Sequence, residues 1–223
     1  MITPPIGAAF GRELYVTDVL VTPPQIEPID LDEVKKHIRF TPTTEDTLLD
    51  TYIAMARQYF EQYTGLALID QTRETRIEAF PGGANTSDLA IELLRPPLIA
   101  VDSVVYDDGD GVEQTFDASA YGVNILSAPY RSVVYPVSSW PSSSGLLGSV
   151  RIRYTAGFGS HPGDVPELIK GVLYLLVGYF HQFRSEAFIN SPGASLEKLP
   201  LGAELIMRNY KVMPARPVLR LSV

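Results

Sequence analysis

Two segments of the chain carry apolar residues at intervals of three and four, and they flank a region in which apolar and polar residues alternate. The first segment covers residues 45–64 and the second covers residues 166–183. Intervals of three and four place side chains on one face of a helix. The apolar positions are Leu49, Tyr52, Ile53, Ala56, Tyr59, Phe60 and Tyr63 in the first segment, and Leu168, Val172, Leu175, Leu176, Tyr179, Phe180 and Phe183 in the second. Both segments are predicted to be long helices that bury their stripes against each other.

Two shorter helices are predicted beside the long ones. Asp30 and Glu33 have the spacing of a capping box, which predicts a helix from residue 31 to about Arg39. Pro200 is suited to a helix start, and the prediction there is a helix over residues 201–210. The prolines at 4–5 and 23–24 exclude helix from the first 28 residues, where we expect an extended arm with one strand at 13–21.

Residues 66–156 have the pattern of short β-strands. Alternating or β-branched runs are interrupted by turn sequences rich in Gly, Asp, Ser and Pro, which is typical of an antiparallel sheet or sandwich. The predicted strands are residues 72–80, 89–94, 98–106, 112–116, 120–126, 131–135 and 148–156.

The predicted fold class is therefore α+β. A helical core of two N-terminal helices, one long and one short C-terminal helix carries an inserted antiparallel β subdomain and extended terminal arms. The predicted boundaries are 1–28 for the N-terminal arm, 29–65 with 165–211 for the helical core, 66–164 for the β subdomain and 212–223 for a C-terminal tail.

The stretch VRIRYTAGFGSHPG at 150–163 raises the possibility of a nucleotide site. Its glycines at 157, 159 and 163 miss the dinucleotide spacing by one residue, and no Gly-Lys-Ser/Thr follows. A corner between a strand and a helix is the favoured interpretation. The acidic stretch 107–111 does not match the calcium-loop pattern. Tyr106 would occupy the first ligand position, where a carboxylate is required. It is interpreted as a hairpin turn.

Composition narrows the possible functions. The chain has 223 residues, a formal charge of -8 and no cysteine, which excludes thiolate chemistry and disfavours binding to a DNA backbone. The three histidines are far apart in sequence, and no catalytic or metal-ligating set is present. We expect no enzyme activity, no cofactor, no metal and no membrane span.

Two features indicate contact with other proteins. Trp140, in the loop 138–145, is either packed against its own domain or an anchor at an interface. After Glu204 the chain carries cationic residues and no acid, with prolines that keep it extended. Such a tail either adds to a partner's sheet edge or groove or is a frayed terminus. The candidate docking residues are Arg208, Lys211, Arg216, Val218, Leu219, Arg220 and Leu221.

A series of motifs resembles the head–tail adaptor (connector, head completion) proteins of long-tailed bacteriophages and gene transfer agents. These motifs occur in the family's order over residues 29–211. They are Leu31, Val34, Lys35 and His37; Asp46, Leu49, Ile53 and Ala56; Glu61, Thr64 and Gly65; the run from Arg95 to Val104; Tyr154 to Gly159; Val165 to Lys170; and Leu199 to Ala203 with Leu205, Ile206 and Tyr210.

The resemblance implies a structural protein of the virion neck, made in the host cytoplasm. It implies a ring, of twelve copies, under the portal, with the stopper or tail-completion protein below. Double-stranded DNA would pass through the lumen without specific binding, and the tail would dock on the portal. The alternative from another class is a β-subdomain module that binds sugar or peptide on a helical stalk.

Overall fold

The computed structural model describes residues 16–82, 89–183 and 201–212. Over these residues the helices are α1 (Leu31–Ile38), α2 (Asp46–Thr64), α3 (Glu167–Gln182) and α4 (Leu201–Asn209). The strands are β1 (Val16–Thr22), β2 (Gln71–Ile77), β3 (Ile91–Glu92), β4 (Leu98–Asp107), β5 (Glu113–Phe116), β6 (Tyr121–Asn124), β7 (Val133–Pro136) and β8 (Val150–Ala156). The predicted α+β class is confirmed.

The helices pack around one apolar cluster. Ile53 and Phe60 of α2 face Ile169 and Leu176 of α3, and all four are at most 3% exposed. Helix α4 closes the cluster with Ala203 and Met207. The two amphipathic stripes therefore bury each other, as their spacing predicts.

The strands form two antiparallel sheets. The larger has the order β1-β2-β8-β4-β5 and the smaller has the order β3-β7-β6. Every second residue of β8, from Val150 to Ala156, is buried in a second apolar cluster that includes Ile77, Val104 and Val134. Because buried and more exposed residues alternate along β8, its sequence shows the alternation of apolar and polar residues that predicts a strand.

The helix starts differ from the prediction in two places. Asp30 caps α1 by accepting the Asp32 N–H at 2.8 Å, but the Glu33 carboxylate accepts the Tyr174 hydroxyl of α3 instead of completing a capping box. Pro166 is the residue before α3, with ψ of 135°, and not its first helical residue. In α1, a contact with another helix replaces the expected local hydrogen bond.

Candidate assembly surfaces

A hydrogen-bonded network joins the helical core to the larger sheet, and we call it the joint. Its centre is Glu61 of α2, which is 9% exposed. The Glu61 carboxylate accepts from the Leu68 N–H at 2.9 Å, from Gln71 Nε2 at 3.0 Å and from an Arg57 guanidinium nitrogen at 3.1 Å. Buried carboxylates are tolerated when their lone pairs are satisfied in this way.

Arg57 extends the joint toward the segment after β1. Its guanidinium binds both carboxylate oxygens of Glu27, with Nε 2.7 Å from Oε2. Burial by itself would lower the pKa of Arg57, but the hydrogen bonds and charges of Glu27 and Glu61 outweigh it and raise the pKa. Arg57 thus stays charged and ties α2 to residue 27.

Asp18 of β1 is the far end of the joint. Arg73 Nε donates to the Asp18 carboxylate at 2.8 Å, and the buried Tyr154 hydroxyl donates to it at 2.7 Å. Arg73 also donates to Gln71 Oε1 at 2.8 Å, which connects Asp18 to Glu61. Burial, followed by the charge of Asp18, raises the pKa of Tyr154. The joint therefore fixes β1, β2 and β8 relative to α2.

Some of the resemblance motifs contribute residues to this joint. Glu61 and Gly65 belong to the E-x-x-T-G motif, and Gly65 ends α2 with φ of 83°. Arg95, which opens the R-P-P-L motif, donates to the Glu61 carbonyl at 2.8 Å and lies 3.5 Å from Asp18. The sequence marks these residues, but the contacts between them depend on the tertiary fold.

The glycine-rich stretch after β8 is a strand-to-helix corner, as predicted. A Cβ on Gly157 would lie 2.6 Å from the backbone of Ile69 and Asp70. The Phe158 N–H donates to the Leu68 carbonyl, and the Asp70 N–H donates to the Gly159 carbonyl, both at 3.0 Å. These backbone groups bind the protein's own segment 68–70, so the corner is a structural connection.

The acidic stretch between β4 and β5 is a turn in which the Asp108 carboxylate accepts hydrogen bonds from residues of the same hairpin. The Asp108 carboxylate accepts from the N–H groups of Asp110 and Val112, both at 3.0 Å, and from Gln114 at 2.8 Å. These hydrogen bonds, the one from Gln114 first, lower the pKa of Asp108. Among the residues that the structure describes, no group of three or more His, Asp or Glu could hold a metal ion.

The histidines take part in packing. His37 of α1 stacks on Tyr174 with ring centroids 5.5 Å apart, and His181 Nε2 lies 3.3 Å from the Glu45 carboxylate. The backbone N–H of His161 donates to Asp164 at 2.9 Å in the corner. Each serves a different contact, which agrees with their wide separation in sequence.

Trp140 is packed against its own domain. Its ring stacks on Phe80 at 4.6 Å with an interplanar angle of 12°, and its indole N–H donates to the Leu89 carbonyl at 2.7 Å. Of the two alternatives from the sequence, the structure shows this one. A role for Trp140 at an interface stays a prediction.

The structure describes two of the candidate C-terminal docking residues, Arg208 and Lys211. Arg208 and Lys211 are exposed, and the Lys211 ammonium lies 5.5 Å from the centre of the Tyr63 ring. Val212, the first residue of the predicted tail, is 7% exposed; its N–H donates to the Thr64 carbonyl at 2.7 Å. Val212 therefore belongs to the helical core. Outside the described residues lie Arg216, Val218, Leu219, Arg220 and Leu221, and most of the N-terminal arm.

Two further exposed apolar features belong to the larger sheet and its turns. Strand β1 is an end strand of the larger sheet, with Val16, Leu20 and Val21 each at least 40% exposed. The turn before β8 exposes Leu146 and Leu147 by 68% and 72%. In the described ranges, no helix is long and apolar enough to cross a membrane.

Comparison with known proteins agrees with the resemblance. Residues 28–106 match the family model described as Phage gp6-like head-tail connector protein. A comparison with curated protein sequences gave no significant match.

Solved structures match over nearly the whole chain. A chain from the virion of a native gene transfer agent (GTA) particle is 21% identical with a TM-score of 0.68, over 90% of this chain and 97% of that one. A chain from the neck of an empty GTA particle, computed with C6 symmetry, is 20% identical with a TM-score of 0.67, over 91% and 98%. A chain from the neck of a native GTA particle, computed with C12 symmetry, is 19% identical with a TM-score of 0.63, over 91% and 98%.

These likenesses show a shared fold, and the family match covers α1, α2, β2, β3 and most of β4. The predicted resemblance to the head–tail connector family is therefore confirmed by the family model over residues 28–106, and about nine tenths of the chain shares its fold with a chain of a GTA virion.

Proposed function

We propose that this protein is a structural head–tail adaptor in the neck of a phage or a phage-like particle. The observation that carries the proposal is the likeness in fold to chains of GTA virions and necks over 90% or more of this chain. The connector match at residues 28–106 supports the same role independently. The contacts of its glycine-rich, acidic and histidine segments are structural.

In this role the protein forms a ring under the portal. One related neck was computed with C12 symmetry and another with C6 symmetry, and twelve copies satisfy both. A cyclic ring uses two different surfaces of each subunit, one on each side. The joint suits such a ring because it holds the β subdomain at one orientation to the helical core.

The tail after Val212 is the proposed portal-docking arm. Val212 is fixed to the end of α2, so the point at which the tail begins is defined. Eleven residues reach up to about 36 Å when extended. Arg216 and Arg220 would meet acids of the portal, and twelve such arms bound together would gain by effective concentration.

The lumen is proposed to conduct double-stranded DNA without binding it specifically, and the stopper or tail-completion protein is proposed to lie below. A net charge of -8 supports the first point, because a negative wall repels phosphate and lets DNA slide.

Co-assembly with the portal tests the proposal. The purified chain should form rings of twelve on the portal from the same particle, seen by negative-stain imaging and by light scattering after size exclusion. A monomer alone is compatible, since assembly can wait for the portal. A chain that stays monomeric with the portal present would contradict the proposed function.

A further inference from the structure

Residues 144–149, which we call the leucine turn, expose two adjacent leucines. Leu147 is 72% exposed, more than any other large apolar residue among those the structure describes, and Leu146 is 68% exposed. Val112, in the neighbouring β4–β5 hairpin, is 55% exposed. Burial of exposed aliphatic side chains stabilises a complex, so exposed leucines of this kind mark a contact surface.

The leucine turn is held in one shape. Gly145 and Gly148 have φ of 74° and 76°, a conformation that favours glycine. The Ser149 N–H donates to the Leu146 carbonyl at 3.0 Å, and the buried Ser149 hydroxyl donates to the Glu78 carbonyl at 2.6 Å. A preformed apolar knob binds with little loss of conformational entropy.

Two backbone hydrogen bonds place the leucine turn beside the acidic hairpin. The Ser144 N–H donates to the Asp107 carbonyl, and the Asp107 N–H donates to the Ser149 carbonyl, both at 2.8 Å. This end of the larger sheet is far from Glu61, the centre of the joint, because Gln71, which binds Glu61, pairs with Ala156, and β8 runs seven residues, roughly 20 Å, from Val150 to Ala156. Val212, the last described residue before the tail, lies at the other end, where it contacts Thr64 and Gly65.

The charges around the leucine turn are mainly negative. Arg151 binds Asp107 and Glu113, and Arg76 and Arg153 share Glu74. With Asp108 and Asp110, the hairpin beside the turn carries four carboxylates, and one guanidinium, that of Arg151, pairs with two of them. A complementary surface is therefore apolar at its centre and basic at its rim.

We propose that the leucine turn docks the protein on the tail side of the ring, with Leu146 and Leu147 entering an apolar slot that has basic residues at its rim. The inference rests on the proposed function, since it assigns the portal to the end of the molecule that carries the tail. The partner is then the stopper, at the opposite end.

Binding of the full chain to the purified portal and to the purified stopper of the same particle tests this inference. The double variant Leu146→Ser, Leu147→Ser should bind the stopper at least ten-fold more weakly, with portal binding and Tm unchanged. The matched control, Ile125→Ser with Leu205→Ser, removes two aliphatic side chains that are 57% and 61% exposed elsewhere and should bind both proteins like the wild type.

A second variant tests the charge of the rim. Asp110→Lys in the exposed turn should slow association with the stopper, because the added positive charge repels a basic rim on the stopper. Faster association would contradict the presence of a basic rim. Stopper binding by the leucine variant within two-fold of the wild type would overturn the inference. Loss of self-assembly or of portal binding in its place would also overturn it. If the wild-type chain binds neither the portal nor the stopper, the result contradicts the proposed function itself, and the variants are not needed to show it.

Discussion

Glu61 shows how a single side chain connects two parts of this protein. It lies on α2, yet two of its three bonds reach the segment that leads into β2. Removal of a buried carboxylate leaves its former partners without hydrogen bonds, which costs more than the pair contributed when intact.

Glu61→Ala is expected to destabilise the protein by about 3 kcal/mol, because the Leu68 N–H and Gln71 Nε2 lose their acceptor in a buried site. Urea unfolding followed by circular dichroism measures this. The control is Glu27→Ala, which removes the more exposed partner of Arg57 and should cost less. A loss under about 1 kcal/mol for Glu61→Ala would show that the joint is not a major source of stability.

Glu74 predicts how stability depends on pH. Burial alone would raise its pKa, but hydrogen bonds and charges from Arg76 and Arg153 outweigh burial and lower the pKa below 4.5. The stability from this carboxylate is thus present above pH 4.5 and is lost as the pH falls through the lowered pKa.

The expected result is a Tm that drops as the pH falls below 4.5 in the wild type. Glu74→Gln should have a lower Tm at pH 7 and a shallower drop toward pH 3, because it no longer takes up that proton on unfolding. The exposed Asp50→Asn serves as the control and should follow the wild type. Parallel curves for Glu74→Gln and the wild type would contradict the assignment.

The elements whose apolar residues recur at regular intervals could be predicted from the sequence. The contacts between residues far apart in sequence could not. The stripes of α2 and α3 and the alternation in β8 follow directly from burial on one face. The sequence could not show that Glu33 turns to Tyr174, because that bond spans 141 positions. The joint was missed for the same reason, although its residues Glu61 and Arg95 stood in the resemblance motifs. A polar residue in the apolar stripe of α2, such as Arg57, was the available signal.

The pairing of α2 with α3 can be tested at the element scale. Ile53 is 3% exposed between the two helices. Ile53→Asp should unfold the protein or lower its Tm by more than 10 °C, because a charge without a partner would be buried there. Met55→Asp is the matched control, since Met55 is 42% exposed on the same helix. Equal melting curves for Ile53→Asp and the wild type would refute the packing.

At the scale of the whole molecule, the two ends of the larger sheet differ in what they present. The joint end holds the helical core and the origin of the tail, whereas the opposite end presents the leucine turn and the acidic hairpin. An adaptor between two different proteins needs two dissimilar surfaces, and this arrangement supplies them on one subunit. The resemblance motifs could indicate a role in the neck. The positions of these two surfaces could not be predicted from the sequence, because they depend on the three-dimensional fold.

Deletion of the tail distinguishes docking from folding. A chain ending at Val212 keeps the buried valine and its bond to Thr64, so its Tm should stay within a few degrees of the wild type. A chain ending at Tyr210 loses Val212 from the core and should melt lower, by an amount that reflects roughly 1.5–3 kcal/mol. Both truncated chains should fail to attach to portal-bearing, DNA-filled heads, measured by sedimentation of the heads with bound protein. Attachment of the chain ending at Val212 at wild-type occupancy would move portal docking to another segment, and the N-terminal arm would be tested next.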